Sequence, residues 1–213
     1  MAASGANALV PPVHRLTSRG LLSDALFGPA AEELIGPDFL NKTQGLDLKK
    51  LGPPIVGIYA LAMVVSLAGA RLSDHLIRRG WTVSASRKTC FFGFVLCELP
   101  ILYQVRGAGL WGAVFWIGLA CGIHQALAAN LFTTVSDMFP KRAVASVIGI
   151  GGMAGCLGGL LFPIVTGRIL DRFSQAGDVH AGYAVLFAIC GASYLLAFTL
   201  NHLCAPRFQP IAR

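Results

Sequence analysis

A row of polar side chains interrupts one of the most apolar parts of the chain, the segment HQALAANLFTTVSDMFPKR that begins at His124. Its amide, hydroxyl and carboxylate groups can hydrogen-bond to a polar solute or to a neighbouring helix. Because an α-helix advances about 100° per residue, most of these groups are predicted to share one face. That predicted face consists of Gln125, Ala126, Ala129, Asn130, Thr133, Ser136 and Asp137. His124 is predicted to lie on the other side, with the leucines.

Two interpretations of this polar face are open. A polar face inside an apolar helix is costly to expose to lipid, so it is expected to face protein or a water-filled cavity. In the first interpretation Gln125 and Asn130 bind a solute, with His124 as a further candidate ligand. In the second, the same side chains hydrogen-bond to other helices and hold them together. Asp137, close to the end of the segment, is expected to make a contact in a loop or gate.

Glycines recur every four residues in the segment GIGGMAGCLGG, at Gly151, Gly155 and Gly159. A helix face without side chains lets a second helix approach closely. The spacing therefore predicts a packing face on this helix. In a protein that changes conformation, such a face also lets two helices slide along each other.

The composition indicates a membrane protein. Hydrophobic residues make up 55% of the 213 residues and charged residues 13%, whereas soluble proteins contain about 25% charged residues. A transmembrane helix needs about 20 mostly apolar residues. Five runs approach or exceed this length, at residues 53–72, 89–105, 110–139, 143–170 and 182–203.

The predicted fold class is therefore all-α and polytopic, with five transmembrane helices. Residues 21–40 are a candidate for a sixth helix, although charged residues and prolines interrupt them. The predicted organisation is an irregular N-terminal segment over residues 1–40, a transmembrane half-bundle over 41–206 and a tail at 207–213. Glu98 is the one carboxylate well inside an apolar run, where a packed or protonated side chain is expected.

Basic residues account for the net charge of +7 without a nucleic-acid partner. They lie in short loops between the apolar runs, and the sequence has no basic stripe with interleaved aromatic residues. Most of them lie on one predicted side of the membrane, within residues 78–88, 141–142 and 207–213. The positive-inside rule predicts that this side, including the tail, is cytoplasmic.

The sequence has no motif that indicates catalysis or a cofactor. Its six cysteines form no CxxC pair, and each lies in or beside an apolar run. They are expected to be small hydrophobic fillers rather than metal ligands. The segment GIGGMAG has the glycines of a dinucleotide fingerprint but does not follow a strand. We therefore expect no enzyme, no metal site and no cofactor.

Two short motifs resemble the loop signature of the major facilitator superfamily, in which an aspartate follows a glycine by four residues and precedes a basic run. The first, LSDHLIRRG, contributes Asp74, Arg78 and Arg79, with an alanine at the glycine position. The second, GRILDR, contributes Gly167 and Asp171. The resemblance implies that these residues act at a gate, where Asp74 with Arg78 and Arg79 pairs charges across helices.

Longer segments resemble the C-terminal half of the anion:cation symporters, and among these the bacterial hexuronate transporters. The segments are DFLNKTQGLDLKKLG, RRGWTVSASRKT and HQALAANLFTTVSDMFPKRAVASVIGIGGMAG, and the resemblance extends from residue 38 to the end. It implies a multi-pass protein of the bacterial inner membrane that transports a hexuronate or related sugar acid with protons. The five runs would then be helices eight to twelve of a two-half transporter.

The same resemblance implies a partner and leaves two alternatives open. In the family, the proton-coupling carboxylates and the main anion-binding arginine belong to the N-terminal half, so no residue here inherits those roles. A separate N-terminal half is therefore expected as a partner of a truncated chain, beside the lipid bilayer, the organic anion and the proton. The alternatives are an inactive remnant of a broken transporter gene and a small membrane protein that docks onto another chain through its glycine face.

Overall fold

A computed structural model describes residues 29–45, 50–98 and 109–204. These residues form six α-helices and no strand: α1 (Pro29–Gln44), α2 (Gly52–Arg78), α3 (Val83–Glu98), α4 (Leu110–Met138), α5 (Lys141–Gln175) and α6 (Val179–Cys204). Helices α2, α4, α5 and α6 are each long and apolar enough to cross a membrane. The predicted all-α polytopic fold is confirmed.

Helices α1 and α3 are shorter, with 16 residues each. The predicted run 89–105 is helical up to Glu98, and its remainder lies outside the described residues. Helix α1 crosses the boundary predicted at residue 40. Its second half joins the core, where Phe39 and Leu40 are buried. Residues 1–28 and the tail at 207–213 lie outside the described part of the chain.

Proline and glycine set several helix ends. Helix α2 begins with Pro53 in its first turn, where a missing N–H costs nothing. It ends beside Gly80, whose φ of 90° is in the left-handed region that favours glycine. Helix α4 ends because Pro140 keeps Phe139 extended, at φ −103° and ψ 147°. The connections at residues 79–82 and 139–140 are short. They keep the end of α2 near the start of α3, and the end of α4 near the start of α5.

The core divides into two clusters along α4. The first packs the N-terminal half of α4 against α1, the start of α2, the end of α5 and the start of α6. The second packs its C-terminal half against α3, the start of α5 and the end of α6. Aromatic rings contribute to both: Phe39 meets Tyr183 in the first, and Phe91 stacks on Phe198 in the second. Each end of the bundle therefore has its own core.

Helices α2 and α4 pack closely because glycines lie at their contact. A Cβ placed at Gly122 would lie 2.6 Å from the Cβ of Val65, and one at Gly118 would lie 3.0 Å from a backbone oxygen of α2. A Cβ at Gly69 would lie 2.5 Å from that of Ala126. Side chains do not approach this closely without moving the helices apart, so these positions require glycine.

The glycines predicted to form a packing face on α5 have different surroundings. A Cβ at Gly159 would meet no heavy atom of the described residues within 4 Å, so this position makes no close helix contact here. Gly151 is buried and Gly155 is partly buried, and a packing role for them stays a prediction. The spacing of four residues also occurs at Gly118 and Gly122, where the fold does bring a second helix close.

Apolar side chains cover much of the outside of α2 and α5. The exposed large ones on these helices include Val56, Met63, Val64, Leu67, Met153, Leu157, Leu160 and Leu161. In water such a surface would promote association, whereas in a bilayer it contacts lipid. The surface therefore agrees with the length and hydropathy of these helices.

Candidate functional site

Polar and ionisable groups meet where α2 ends, α3 begins and α4 ends. The turn at 79–82 reverses the chain, and the Ser86 hydroxyl donates to the backbone oxygen of Ser73 at 2.6 Å. Asp74 and Arg87 each follow one of these serines in the sequence. The contact between the two serines therefore also brings the aspartate and the arginine together.

Arg87 is the centre of this group, and only 7% of it is exposed. Its Nε donates to Oδ2 of Asp137 at 3.2 Å, and its Nη1 lies 3.3 Å from Oδ1 of Asp74. Nη1 also donates to the hydroxyl oxygen of Ser73 at 2.5 Å. A buried charge needs such partners because desolvation without them is costly. One guanidinium thus joins the ends of three helices.

Asn130 completes the group from α4. Its Nδ2 donates to the backbone oxygen of Arg87 at 2.9 Å, and its Oδ1 accepts from Nη1 of the same residue at 3.5 Å. Only 3% of Asn130 is exposed, so its amide holds α3 against α4. We term these residues the ionic end: Ser73, Asp74, Ser86, Arg87, Asn130 and Asp137.

The structure divides the polar face predicted on α4. Gln125, Thr133 and Ser136 are exposed, whereas Asn130 is buried. Asn130 lies five positions after Gln125, which corresponds to about 140° of rotation around the helix. The single face predicted from the sequence is therefore too broad. Gln125 remains on the outer side of α4, and Asn130 faces the neighbouring helix.

His124 lies on the inner side of α4 and contacts α6. Its Nδ1 is 3.0 Å from the hydroxyl oxygen of Tyr194, and the two groups share a hydrogen bond. Both residues are buried. The imidazole therefore forms a second polar contact between helices, the role that polar side chains commonly have in membrane bundles.

The residues of the two short motifs lie at different ends of the bundle. Asp74 pairs with Arg87, whereas Arg78 and Arg79 are exposed and form no ion pair within the described part of the chain. Asp74 therefore makes an ion pair with an arginine of a different helix, and the gate role expected of Asp74, Arg78 and Arg79 stays a prediction. Gly167 and Asp171 lie toward the end of α5, far along the bundle from Asp74. The fold does not bring the two motifs together.

Sequence reasoning missed Arg87, which it counted only as a basic loop residue. No local signal marked it, because the predicted run begins at residue 89, whereas the helix begins at Val83 and includes Arg87 in its second turn. Only the fold shows that its carboxylate partners come from two other helices.

A different polar contact links α1 to α6 at the other end of the bundle. The Tyr183 hydroxyl donates to Oδ2 of Asp38 at 2.7 Å, and Nζ of Lys42 lies 3.1 Å from the same oxygen. Tyr183 is fully buried and meets Phe39 edge-on, with ring centroids 5.1 Å apart. We term Asp38, Phe39, Tyr183 and Phe187 the aromatic end. Sequence reasoning did not single out these residues.

The cysteines and Glu98 form no metal site in the described residues. No cluster of three or more His, Cys, Asp or Glu side chains is placed there to hold a metal ion. Cys90, Cys121 and Cys190 are buried in the two core clusters, where they fill space. Glu98 is buried at the end of α3.

Comparison with known proteins identifies transporters. No protein-family model matches the chain. The D-galactonate transporter of Escherichia coli O6:H1 is 28% identical over 166 residues, which are 75% of this chain and 37% of that protein. A probable galactarate/D-glucarate transporter of Pseudomonas putida is 27% identical over 165 residues, 75% of this chain and 35% of that protein. The hexuronate transporter of Escherichia coli K12 is 36% identical over 73 residues, 34% of this chain and 15% of that protein.

The matched segments show what kind of protein this chain is similar to. The chain spans little more than a third of the length of the first two relatives. All three relatives are transporters, so the prediction that the chain is not an enzyme is confirmed. The expectation of a multi-pass membrane protein is confirmed as well.

Proposed function

We propose that this chain, whose homologues are anion transporters of the major facilitator superfamily, forms the C-terminal half of a transporter for a sugar acid. The observation that carries the proposal is the sequence similarity to transporters of D-galactonate, galactarate/D-glucarate and hexuronate. Each of these solutes is a carboxylate with several hydroxyl groups. A hexuronate or an aldonate is the solute class, and protons drive its uptake.

Gln125 contacts the solute directly in this proposal. It is exposed on the outer side of α4, and its amide can both donate to and accept from sugar hydroxyls. A second helical half facing α4 would enclose it at the interface between halves, where such transporters bind their substrates. Asn130 and His124 are positioning residues, because they hold α3 and α6 against the helix that carries Gln125.

The ionic end serves as the gate on the cytoplasmic side. Arg87 is buried, but the side chain of Asp74 is 58% exposed and that of Asp137 is 35% exposed. Water or a second helical half can therefore compete for the two carboxylates. Ion pairs that exchange partners in this way allow one half to rock against the other.

The proposed location is the plasma membrane of a bacterium, with the ionic end in the cytoplasm. Four exposed basic residues lie at this end, Arg78, Arg79, Lys141 and Arg142, and the positive-inside rule then sets the orientation. In a cysteine-free variant, single cysteines at Arg79 and Gly177 should react with impermeant reagents from opposite sides. Labelling of both from one side would contradict this topology.

Uptake by membrane vesicles tests the proposed function. Vesicles contain this chain either alone or with a six-helix N-terminal half from the D-galactonate transporter, and uptake of labelled D-galactonate and D-glucuronate is measured. We expect uptake with both halves present and stimulation by a proton gradient directed inward. An uptake rate that is the same with and without the proton gradient would contradict proton coupling. Failure to take up either anion under all conditions would contradict transport of sugar acids.

A matched pair of variants tests the role of Gln125 in the same assay. Gln125→Ala should raise KM about fivefold, because one lost hydrogen bond is worth on the order of 1 kcal/mol. Gln175→Ala removes an exposed glutamine from the end of α5 and should leave KM unchanged. The same KM for both variants would exclude Gln125 from the solute path.

A second function, docking onto another membrane chain, has one observation in its favour. Cβ atoms placed at Gly152 and Gly159 of α5 would meet nothing within 4 Å, and the exposed Met153 and Leu160 lie beside them. Small residues flanked by apolar ones let a partner helix approach. Association with a membrane partner that Gly159→Leu abolishes, in a chain that supports no uptake, would favour this function.

A further inference from the structure

A small cavity lies beside the ionic end, between α3, α4 and α6. Its volume is about 10 Å³, which is close to the lower limit for one water-sized group. Arg87, Lys88, Asn201 and His202 contribute polar side chains to its wall. All four lie near the same end of the bundle, because α3 begins where α6 ends.

The wall changes from apolar to polar toward the end of the bundle. On α3, Phe91 lies deeper than Lys88, and on the antiparallel α6, Phe198 lies deeper than His202. The rings of Phe91 and Phe198 stack with centroids 5.7 Å apart, and His202 stacks on Phe198 at 5.9 Å. On both helices the aromatic groups therefore lie deeper in the bundle, and the polar groups lie nearer the membrane surface. A phospholipid presents its acyl chains and its headgroup in the same order.

We propose that this cavity binds the phosphate of an anionic phospholipid headgroup. One phosphoryl oxygen enters the cavity, whose volume admits a single group of that size, and the rest of the headgroup stays at the mouth. Basic pockets between transmembrane helices on the cytoplasmic side have the chemistry that binds such headgroups. On the same two helices Phe92 and Leu203 are exposed and offer acyl chains an apolar surface. The site requires membrane insertion but does not depend on which solute is transported.

The charged side chains that line the cavity itself are cationic and favour an anion. The carboxylates of Asp74 and Asp137 pair with Arg87, but neither residue lines the cavity. Lys88 adds a second cationic side chain to the wall, and no carboxylate lies among the described lining residues. A zwitterionic headgroup would bring its own ammonium group close to these cations. The site should therefore select an anionic lipid over a zwitterionic one.

Lipid titrations of the purified full chain in detergent, followed by native mass spectrometry, test the site. The probes are a phosphatidylglycerol, a phosphatidylcholine with the same acyl chains, and inorganic phosphate alone. Phosphatidylglycerol should bind more tightly than phosphatidylcholine. Lys88→Gln should weaken phosphatidylglycerol binding about fivefold, the effect of one basic residue at a membrane surface. Lys141→Gln removes a lysine that lies at the same end of the bundle but does not line the cavity, and it should leave binding unchanged.

Three results would overturn the proposal. Equal weakening by Lys88→Gln and Lys141→Gln would show a diffuse basic surface and no defined site. Equal binding of the two lipids would show an apolar annulus without headgroup recognition. Binding of inorganic phosphate, with no preference for phosphatidylglycerol, would show a soluble anion as the ligand. If Lys88→Gln does not fold, His202→Gln at the exposed mouth replaces it and should also weaken phosphatidylglycerol binding selectively, while Lys88→Arg should retain it.

Discussion

The two ends of the bundle are held together by different forces. At the ionic end, Arg87 joins three helices through ion pairs with two partly exposed carboxylates and a hydrogen bond to Ser73. At the aromatic end, Phe39 packs edge-on against Tyr183 and Phe187, with ring centroids 5.1 and 5.7 Å apart. Ion pairs have an alternative partner in water, whereas packed rings lose their contacts as soon as they separate. We therefore expect conformational change at the ionic end, while α1 stays docked at the aromatic end.

The contact between α2 and α4 lies between these two ends. Gly118 and Gly122 let the two helices approach so closely that no side chain fits between them. Close-packed helices transmit displacement because they have little free volume to absorb it. A movement that begins at the ionic end is thus expected to carry α2 and α4 together.

The largest effect is expected from removal of the arginine at the ionic end. Arg87→Met keeps much of the side-chain length but removes the partner of Asp137 and Ser73. The buried Ser73 and Asn130 lose their hydrogen bonds to the guanidinium and Asp137 loses its ion pair. Together these losses should lower the free energy of unfolding by on the order of 3 kcal/mol, measured by denaturation in detergent micelles. Arg78→Met makes the same change at an exposed position and should stay within about 0.5 kcal/mol of the parent chain. Similar losses in the two variants would mean that the ionic end does not hold the bundle.

The next largest effect compares a glycine in the close contact between α2 and α4 with a glycine on the open surface of α5. Gly122→Ala forces a Cβ to within 2.6 Å of that of Val65 and should lower the free energy of unfolding by about 2 kcal/mol. Gly159→Ala meets no neighbour within 4 Å and should raise it by up to about 1 kcal/mol, since alanine favours helix more than glycine does. The two substitutions should therefore change the free energy of unfolding in opposite directions. A shared sign would contradict the different packing of the two glycines.

A smaller effect distinguishes the inner from the outer side of α4. Asn130→Ala removes the donor to the backbone oxygen of Arg87 and should lower the free energy of unfolding by about 1.5 kcal/mol. Gln125→Ala, on the exposed side, should change it by less than about 0.5 kcal/mol. Thermal unfolding of both variants in one detergent checks the comparison. An unchanged unfolding temperature for Asn130→Ala would remove Asn130 from the ionic end.

The smallest effect is expected at the aromatic end. Tyr183→Phe keeps the ring in contact with Phe39 and loses only the hydrogen bond to Asp38. The side chain of Asp38 is 39% exposed and also pairs with Lys42, so the loss should be about 1 kcal/mol. Unfolding in detergent would detect it. A loss as large as that of Arg87→Met would show that polar contacts, and not ring packing, hold both ends.

Sequence reasoning was most successful where local physics decides the outcome. Apolar runs of sufficient length predicted the long helices, because a bilayer or a core admits a polar backbone only when its groups are hydrogen-bonded. Two predicted runs end close to the observed helix ends at prolines, with α2 beginning at Gly52 and α4 ending before Pro140, since proline restricts its own φ and the residue before it. Helix α1 was harder to predict because its charges and Pro37 resemble a loop, yet Phe39 and Leu40 anchor it in the core.

The candidate site was predictable only in part. Asn130 and Asp137 were marked because they are polar residues in an apolar segment, and Asp74 was marked by its place in the loop motif. Arg87 was not marked as a site residue, and the expected pairing of charges across helices named only Asp74, Arg78 and Arg79. Neighbours in sequence are not the nearest charges once α3 folds back along α2, and Arg87 then lies 3.3 Å from Asp74.

The sequence by itself determined that this chain is a helical membrane protein, because length, hydropathy and helical periodicity are local properties of the chain. Only the tertiary structure decided which polar groups meet. The same spacing of four residues makes a close contact at Gly122 and none at Gly159, since the neighbouring helix is set by packing over the whole bundle. For the same reason Asn130 and His124, both candidates for a solute, are bonded to other helices. Gln125 alone among the three stays exposed, on the outer face of α4.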